Sequence, residues 1–214
     1  MSAFREVYRG IQTPYRAAVV LFPYRGAHPR FHPVAERVPK PLGGHSLVED
    51  QTRIYRRLFG RFVTGVAVVL TEEDGEVKGL TINSLTSASL DPLLLLFCVR
   101  NKSTSGDAIL RVRRFTVSIL GAHQENAARH FAGRKDPQPS LSFARDDGFV
   151  WLEDSNAVFR CAVADAYPGG DHRIILGRVV DMLGPEACAQ LLVYHSGDYA
   201  HLAAVSRTKE GSLA

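Results

Sequence analysis

The chain has 214 residues, 45% of them hydrophobic and 22% charged, a composition that excludes a disordered or fibrous protein and is ample for a buried core. Its formal net charge is +4 at pH 7, but 1–45 contain seven of the 26 basic residues and only two of the 22 acidic ones. Because 46–214 are therefore close to neutral, the body of the chain lacks the stripe of Lys and Arg that nucleic-acid binding requires, and no nucleic-acid partner is expected.

The N-terminal segment 1–45 is predicted to be a Pro/Arg-rich extension outside the folded domain. It holds six of the eleven prolines, which interrupt helices and central strands. Its repeated Arg is also typical of a transit peptide, but Ser is scarce and the prolines break any amphipathic helix. The sequence therefore predicts an N-terminal extension at 1–45 and one domain at 46–214.

The domain is predicted to begin with a short amphipathic helix. Ser46 and Glu49 can form a capping box, which satisfies backbone N–H groups at a helix start. Ile54 and Leu58 then recur at helical spacing among several arginines, which indicates one apolar and one charged face.

Most of the remaining domain is predicted to form short strands. Asp74-Gly75 is typical of a tight hairpin turn between two of them. The predicted strands are 63–70, 77–85, 93–99, 115–120, 157–166, 173–182 and 190–194. Further helices are predicted only at 105–112 and 124–132. Because helices and strands do not alternate one for one, the pattern favours a mostly β, antiparallel barrel over a doubly wound α/β sheet.

Several familiar sites are absent from the sequence. No G-x-G-x-x-G follows a strand and no G-x-x-x-x-G-K-[ST] occurs, so neither a Rossmann dinucleotide site nor that type of phosphate loop is expected. Histidines and cysteines lack metal-ligand spacing, so no metal is expected. The longest apolar run, 93–99, is shorter than the roughly 20 residues of a membrane span. Three cysteines without a disulfide pattern indicate a reducing compartment, the cytoplasm.

Two polar stretches remain as candidate sites, and each also has a purely structural interpretation. In 79–92, hydroxyl groups and an amide crowd the end of a strand, where Ser, Asn, Asp and Pro also occur for turn geometry alone. In 100–105 a strand ends and a helix begins, which fits simple N-capping. It also fits an anion site, because the free N–H groups of a helix N-terminus bind phosphate.

Three motifs occur in the order typical of one family. The segment Thr81-Ile-Asn-Ser-Leu-Thr-Ser-Ala-Ser-Leu-Asp-Pro92 resembles the flavin-contacting segment of the short-chain flavin reductases that serve two-component monooxygenases. Phe62-Val-Thr-Gly-Val-Ala-Val-Val-Leu70 precedes it and Tyr167-Pro-Gly-Gly-Asp-His172 follows it, as in that family. The resemblance covers roughly 50–204, and one departure is Leu93, where the family often has a second proline.

This resemblance implies an FMN-binding split β-barrel with Greek-key topology and a few short helices, usually a homodimer. It implies that NADH or NADPH reduces FMN or FAD, and that the reduced flavin diffuses to a partner flavin-dependent monooxygenase. By position, the contacts to the isoalloxazine and ribityl fall on Thr81, Asn83, Ser84, Ser87 and Ala88. The phosphate contacts fall on Lys102, Ser103 and Ser105, and the nicotinamide side falls on His172 as the catalytic candidate.

Alternatives stay open at this point. A flavin-binding or storage protein on the same barrel would hold flavin without nicotinamide turnover. A B6-phosphate oxidase on a related barrel would need more basic residues than Lys102 and Arg100 provide. His172 also fits a polar residue at an exposed turn, since Gly169, Gly170 and Asp171 before it are turn formers. The residues leave FMN against FAD and NADH against NADPH undecided.

Overall fold

The computed structural model describes residues 45–134, 140–185 and 190–202. In these ranges the helices are α1 (His45–Phe59), α2 (Thr104–Val112) and α3 (Glu125–Phe131), with a 3-10 turn at Ala122–Gln124. The strands in the same ranges are β1 (Thr64–Gly65), β2 (Ala67–Glu73), β3 (Glu76–Ile82), β4 (Thr86–Leu90), β5 (Leu93–Arg100), β6 (Arg114–Ile119), β7 (Phe143–Asp146), β8 (Phe149–Leu152), β9 (Ala157–Gly169), β10 (His172–Leu183), β11 (Leu192–His195) and β12 (Asp198–His201). The predicted extension at 1–45 lies outside the described residues except for His45.

Seven of these strands form one antiparallel sheet in the order β3-β2-β6-β9-β10-β5-β4. Its two outer strands, β3 and β4, follow each other in the chain and are joined by 83–85 alone. Such a link spans at most roughly 14 Å, so the two edges of the sheet have to meet and the sheet curls into a barrel. The Ser84 hydroxyl in the link accepts a hydrogen bond from the Cys98 N–H of β5 at 3.0 Å, which fixes the closure.

The barrel encloses an apolar core. Along β5, Leu95, Phe97 and Val99 point inward and are at most 5% exposed. The rings of Phe97 and Phe115 meet edge to face with their centroids 5.4 Å apart. A second core lies on the outer side of β2, where Leu70 packs in a cluster with residues of α3, β8 and β11. Because β2 is buried on both faces, it reads as a continuous apolar run.

The predicted fold class, a mostly β antiparallel barrel with a few short helices, is confirmed by the strand order. The predicted tight turn is also confirmed, since Asp74 and Gly75 have φ values of 53° and 80°. The predicted strand 77–85 is too long at its end, because the chain leaves the sheet after Ile82 to make the link to β4. In the described ranges, no helix is long and apolar enough to cross a membrane.

Candidate functional site

The N-terminus of α2 forms the first part of the site. Ser103 caps the helix with an extended backbone, and its side-chain oxygen accepts a hydrogen bond from the Gly106 N–H at 3.1 Å. The N–H groups of Thr104 and Ser105 come before the first N–H that bonds within the helix, that of Asp107, and the helix dipole places partial positive charge there. Lys102 stands just before the cap and is exposed. This helix start therefore attracts anions.

Asn101 joins this helix start to the hairpin that carries His172. Its backbone N–H donates to the Asp171 carbonyl and its side-chain amide donates to the Gly170 carbonyl, each at 3.0 Å. In the ladder between β5 and β10, His172 stands opposite Arg100. The structure thus brings together the helix start and the His172 hairpin, although 69 positions of sequence separate Asn101 from Gly170.

The link and strand β4 run along the opposite edge of β5. The Ser84 hydroxyl bonds the Cys98 backbone there, and β4 continues the ladder toward the start of β5. Thr81, by contrast, uses its side chain inside the protein, because its hydroxyl donates to the Ala128 carbonyl of α3 at 2.7 Å. Among the predicted flavin contacts of this segment, Asn83, Ser87 and Ala88 are exposed.

Ser105 also directs its hydroxyl into the protein. It donates to the Gly79 carbonyl of β3 at 2.8 Å and thereby ties α2 to the strand that leads into the link. A hydroxyl has a single proton, so this side chain cannot donate to a phosphate at the same time. Its backbone N–H, at the second position of the helix, is the group that points out of the helix start.

An apolar strip lies on the outer face of the sheet between these polar groups. Cys98 and Leu96 of β5 stand opposite Ile174 and Leu176 of β10, and all four side chains are half-buried. Arg100 and His172 stand at one end of the strip, and the Ser84 link runs along one side. An apolar surface with a few polar groups at its margin suits a large aromatic ring.

A cavity of about 370 Å³ lies toward the start of β5, beyond this strip. Its wall is mostly apolar, and β4 contributes the hydroxyl groups of Ser87 and Ser89. The lining includes Ser87, Ser89, Leu90, Leu94, Phe159 and Met182. The predicted flavin-contacting segment 81–92 therefore borders both the apolar strip and this cavity.

The hairpin tip orients the ring of His172 through a hydrogen bond to the neighbouring carboxylate. Its Nδ1 lies 2.7 Å from Oδ1 of Asp171, and this hydrogen bond lowers the pKa of the Asp171 carboxyl below its ordinary value. Because an ionised carboxylate only accepts hydrogen bonds, Nδ1 must carry the proton in this pair. In the neutral tautomer that this bond selects, Nε2 is the acceptor nitrogen of the ring.

Sequence reasoning missed two features of this site. One is Asn101, whose position beside the helix cap is the only sequence signal for its role. The other is the ion pair between Arg173 and Asp107, whose side chains meet at 2.8 Å. Asn101 is far in sequence from its partner Gly170, and Asp107 is far from Arg173. These contacts can therefore be found only once the strand order is known. No cluster of three or more His, Cys, Asp or Glu side chains able to hold a metal occurs in the part of the chain that the structure describes.

Comparison with known proteins gives consistent matches. A family profile described as "Flavin reductase like domain" matches residues 59–203. The chain is 39% identical over 142 residues to an NADH-dependent FAD reductase of Streptomyces globisporus, covering 63% of this chain and 78% of that protein. It is 36% identical over 149 residues to the reductase component of 4-hydroxyphenylacetate 3-monooxygenase from Thermus thermophilus, covering 69% and 95%.

A solved structure gives the same match in three dimensions. The NADH:FAD oxidoreductase SgcE6 of Streptomyces globisporus C-1027, in complex with NAD and FAD fragments, is similar with a TM-score of 0.67 and 34% identity. The similarity covers 74% of this chain and 96% of that chain.

Proposed function

The chain belongs to the flavin reductase family, and from this premise we propose that it is an NAD(P)H:flavin oxidoreductase. It reduces FMN or FAD and supplies the reduced flavin, by diffusion, to a partner flavin-dependent monooxygenase. The observation that carries the proposal is the junction at Asn101, where two hydrogen bonds hold the anion-attracting start of α2 against the hairpin of His172. A flavin and a nicotinamide need such neighbouring sites, because hydride transfer requires their rings to be in contact.

The start of α2 is proposed to hold the flavin phosphate. Lys102 supplies a charge, Ser103 supplies its hydroxyl proton, and the N–H groups of Thr104 and Ser105 complete the donor set. The Ser103 oxygen already accepts from Gly106, which leaves its proton available for an anion. Ser105 contributes through its backbone, because its hydroxyl is bonded to Gly79.

The apolar strip and the link are proposed to hold the flavin ring and ribityl. Asn83, Ser84, Ser87 and Ala88 border the strip, and Thr81 contributes through its backbone since its hydroxyl is bonded to α3. When bound, the flavin supplies the chemistry, because its ring accepts the hydride that a nicotinamide donates. Backbone N–H groups near Ser87 and Ala88 stabilise the negative charge that reduction places on the pyrimidine side of the ring. No side chain has to act as a general acid or base in this step.

His172 is proposed to orient the nicotinamide. Its Nε2 accepts a hydrogen bond from the carboxamide N–H, while Asp171 holds the ring through Nδ1. NADH is the proposed reductant, because several relatives are named as NADH-dependent flavin reductases. His172 therefore acts on the nucleotide and leaves the binding of flavin to other residues.

A homodimer is proposed from the apolar face of α1. Leu58 and Phe59 at the end of α1 and Phe62 just after it are 51%, 60% and 67% exposed, which is costly for three large apolar side chains so close together. A second copy of the chain would cover this face.

We also propose that the protein works in the cytoplasm, since Cys98 and Cys161 are both free thiols, as a reducing compartment keeps them.

Purified protein tests the proposed function directly. NADH and NADPH are each mixed with FMN, FAD and riboflavin, and nucleotide oxidation is followed at 340 nm as an ordinary absorbance assay. Turnover with NADH and a phosphorylated flavin is the expected result. If the protein binds flavin tightly but oxidises neither nucleotide, it is a flavin-binding or storage protein and not a reductase.

A further inference from the structure

We propose that the ion pair between Arg173 and Asp107 positions the first turn of α2 for the flavin phosphate, which makes Arg173 a positioning residue for phosphorylated flavins. The inference rests on the proposed function, because it assumes that a flavin phosphate binds at this helix start. It concerns two residues that belong to none of the sequence-predicted contacts.

The pair joins the two halves of the site. Arg173 follows His172 in β10, and its Nη2 donates to Oδ1 of Asp107 at 2.8 Å. Asp107 lies in the first turn of α2, and its N–H bonds the carbonyl of the cap residue Ser103. The two side chains are 23% and 43% exposed, so the pair is partly shielded from water. One charged contact therefore connects the strand of the nicotinamide residue to the helix of the phosphate residues.

Close packing makes this contact sensitive to position. Gly106 is buried, and a Cβ added to it would lie 2.8 Å from Cγ2 of Val99 and 3.3 Å from Nη2 of Arg173. Arg173 and Val99 stand opposite each other in the ladder of β10 and β5. The backbone of the first turn thus rests directly on these two side chains, and a shift of Arg173 would move the free N–H groups.

The charges show why Asp107 is needed. A guanidinium beside a helix N-terminus is repelled by the positive end of the dipole, and Lys102 and Arg100 add charge of the same sign nearby. Nε of Arg173 is also buried without a hydrogen-bond partner in the described residues. Asp107 offsets the repulsion, because its carboxylate is favoured at the helix start and holds Nη2 of Arg173 at 2.8 Å. The helix start stays attractive to anions, because the charge of Asp107 is paired with Arg173.

The same helix offers a matched control at its other end. Arg111 in the last turn of α2 donates to both carboxylate oxygens of Glu73 in β2, at 2.7 and 2.9 Å. This pair also ties α2 to the barrel, but it lies at the end of the helix away from the phosphate residues. Its loss tests whether any weakening of α2 has the same effect.

The experiment compares the affinities for FMN and riboflavin, which differ only in the phosphate. Kd values are measured by quenching of flavin fluorescence for wild type, Arg173→Met, Arg173→Lys, Asp107→Asn and Arg111→Met. We expect Arg173→Met and Asp107→Asn each to weaken FMN by about tenfold more than riboflavin. Arg173→Lys recovers part of the loss, and Arg111→Met leaves the ratio of the two Kd values unchanged.

Two outcomes would overturn the proposal. Tighter FMN binding in Asp107→Asn would mean that Arg173 acts as a free charge that Asp107 merely neutralises. Equal loss of FMN and riboflavin in Arg173→Met would mean that the pair only supports the fold. The proposed function is tested separately, because these measurements report binding and not turnover. A wild type that prefers FMN but oxidises no NADH would refute the proposed function. The ratio of the Kd values for FMN and riboflavin would still decide the role of the ion pair.

Discussion

At the scale of single residues, Lys102 and Ser105 flank the same helix start but use their side chains differently. Lys102 is exposed, whereas the Ser105 hydroxyl is bonded to the Gly79 carbonyl at 2.8 Å. Lys102→Ala is expected to weaken FMN by about tenfold, or ~1.4 kcal/mol, because a charge next to the phosphate is lost. Riboflavin, which has no phosphate, is expected to bind as before. Flavin fluorescence titration of both ligands measures the difference.

Ser105→Ala provides the contrast for that prediction. It removes a hydrogen bond between α2 and β3 but keeps the backbone N–H. We expect FMN and riboflavin to lose affinity to the same extent, together with a small fall in the unfolding midpoint. If Lys102→Ala weakened the binding of FMN and riboflavin equally, the flavin phosphate would not lie at this helix start.

His172 permits a second prediction at this scale. Its Nε2 is the free ring nitrogen, because Nδ1 is bonded to Asp171 at 2.7 Å. His172→Ala is expected to raise the KM for NADH about fivefold, the effect of one hydrogen bond, with little change in the Kd of FMN. Steady-state kinetics with NADH as the varied substrate measure it.

His195 is the matched control for that variant, since it is exposed on β11 and bonds the neighbouring Ser196 hydroxyl. His195→Ala is expected to leave the KM for NADH unchanged. Unaltered nucleotide kinetics in His172→Ala would return His172 to the role of an exposed turn residue.

At the scale of elements, β10 combines the site and the core in one strand. Gly177 lies in β10, and a Cβ there would come within 2.4 Å of Cζ of Phe115, a ring that is 1% exposed. Gly177→Ala is expected to destabilise the protein by about 1–3 kcal/mol, because this buried ring has to move. Gly65→Ala meets nothing within 4 Å and is expected to change stability by less than about 0.5 kcal/mol. Urea unfolding compares them, and equal midpoints would contradict the packing argument.

The elements also show what the sequence could predict and where it failed. The Val-rich run of β2 and the turn at Asp74-Gly75 were predictable, because both carry strong local signals. The hairpin of β7 and β8 was missed, since Phe143–Asp146 does not alternate clearly between apolar and polar residues. Its turn at Asp147-Gly148, with φ of 47° and 74°, is the same type of signal and could have revealed it.

The candidate site was only partly accessible from sequence for a related reason. The resemblance to flavin reductases is confirmed by the family match over 59–203, and it supplied the order of the motifs. Spacing alone could not show that Asn101 bonds Gly170, because that contact depends on β10 pairing with β5. Nor could it show that the hydroxyls of Thr81 and Ser105 point into the protein, since side-chain direction follows from the curled sheet.

At the scale of the whole molecule, closure of the barrel places the site along one strand. β5 is bordered by β10 on one edge and by β4 on the other, and the start of α2 follows it in the chain. The link, the start of α2 and the His172 hairpin are therefore neighbours only when the sheet is complete. A local substitution that opens the sheet is expected to affect flavin and nucleotide binding together, unlike the single-residue variants above.

The apolar face of α1 carries the prediction for assembly. Tyr55 stacks on Phe59 with centroids 5.7 Å apart, and Phe59 meets Phe62 at 6.2 Å, so the exposed rings form one continuous stripe. Burying a large apolar side chain stabilises an interface by about 2 kcal/mol, and a buried carboxylate without a partner opposes it. Leu58→Glu is therefore expected to convert a wild-type dimer into a monomer, as measured by light scattering at micromolar concentration.

Arg56→Glu is the control for that variant, because it introduces the same side chain on a different face of α1, about 160° around the helix from Leu58. It is expected to leave the dimer mass unchanged. If Leu58→Glu is still a dimer, the interface lies elsewhere on the protein. If the wild type is a monomer, the proposed homodimer is wrong. Flavin reduction measured in the same samples then decides whether assembly matters for the site: unchanged turnover in a monomeric Leu58→Glu would show that one barrel holds every residue needed for hydride transfer.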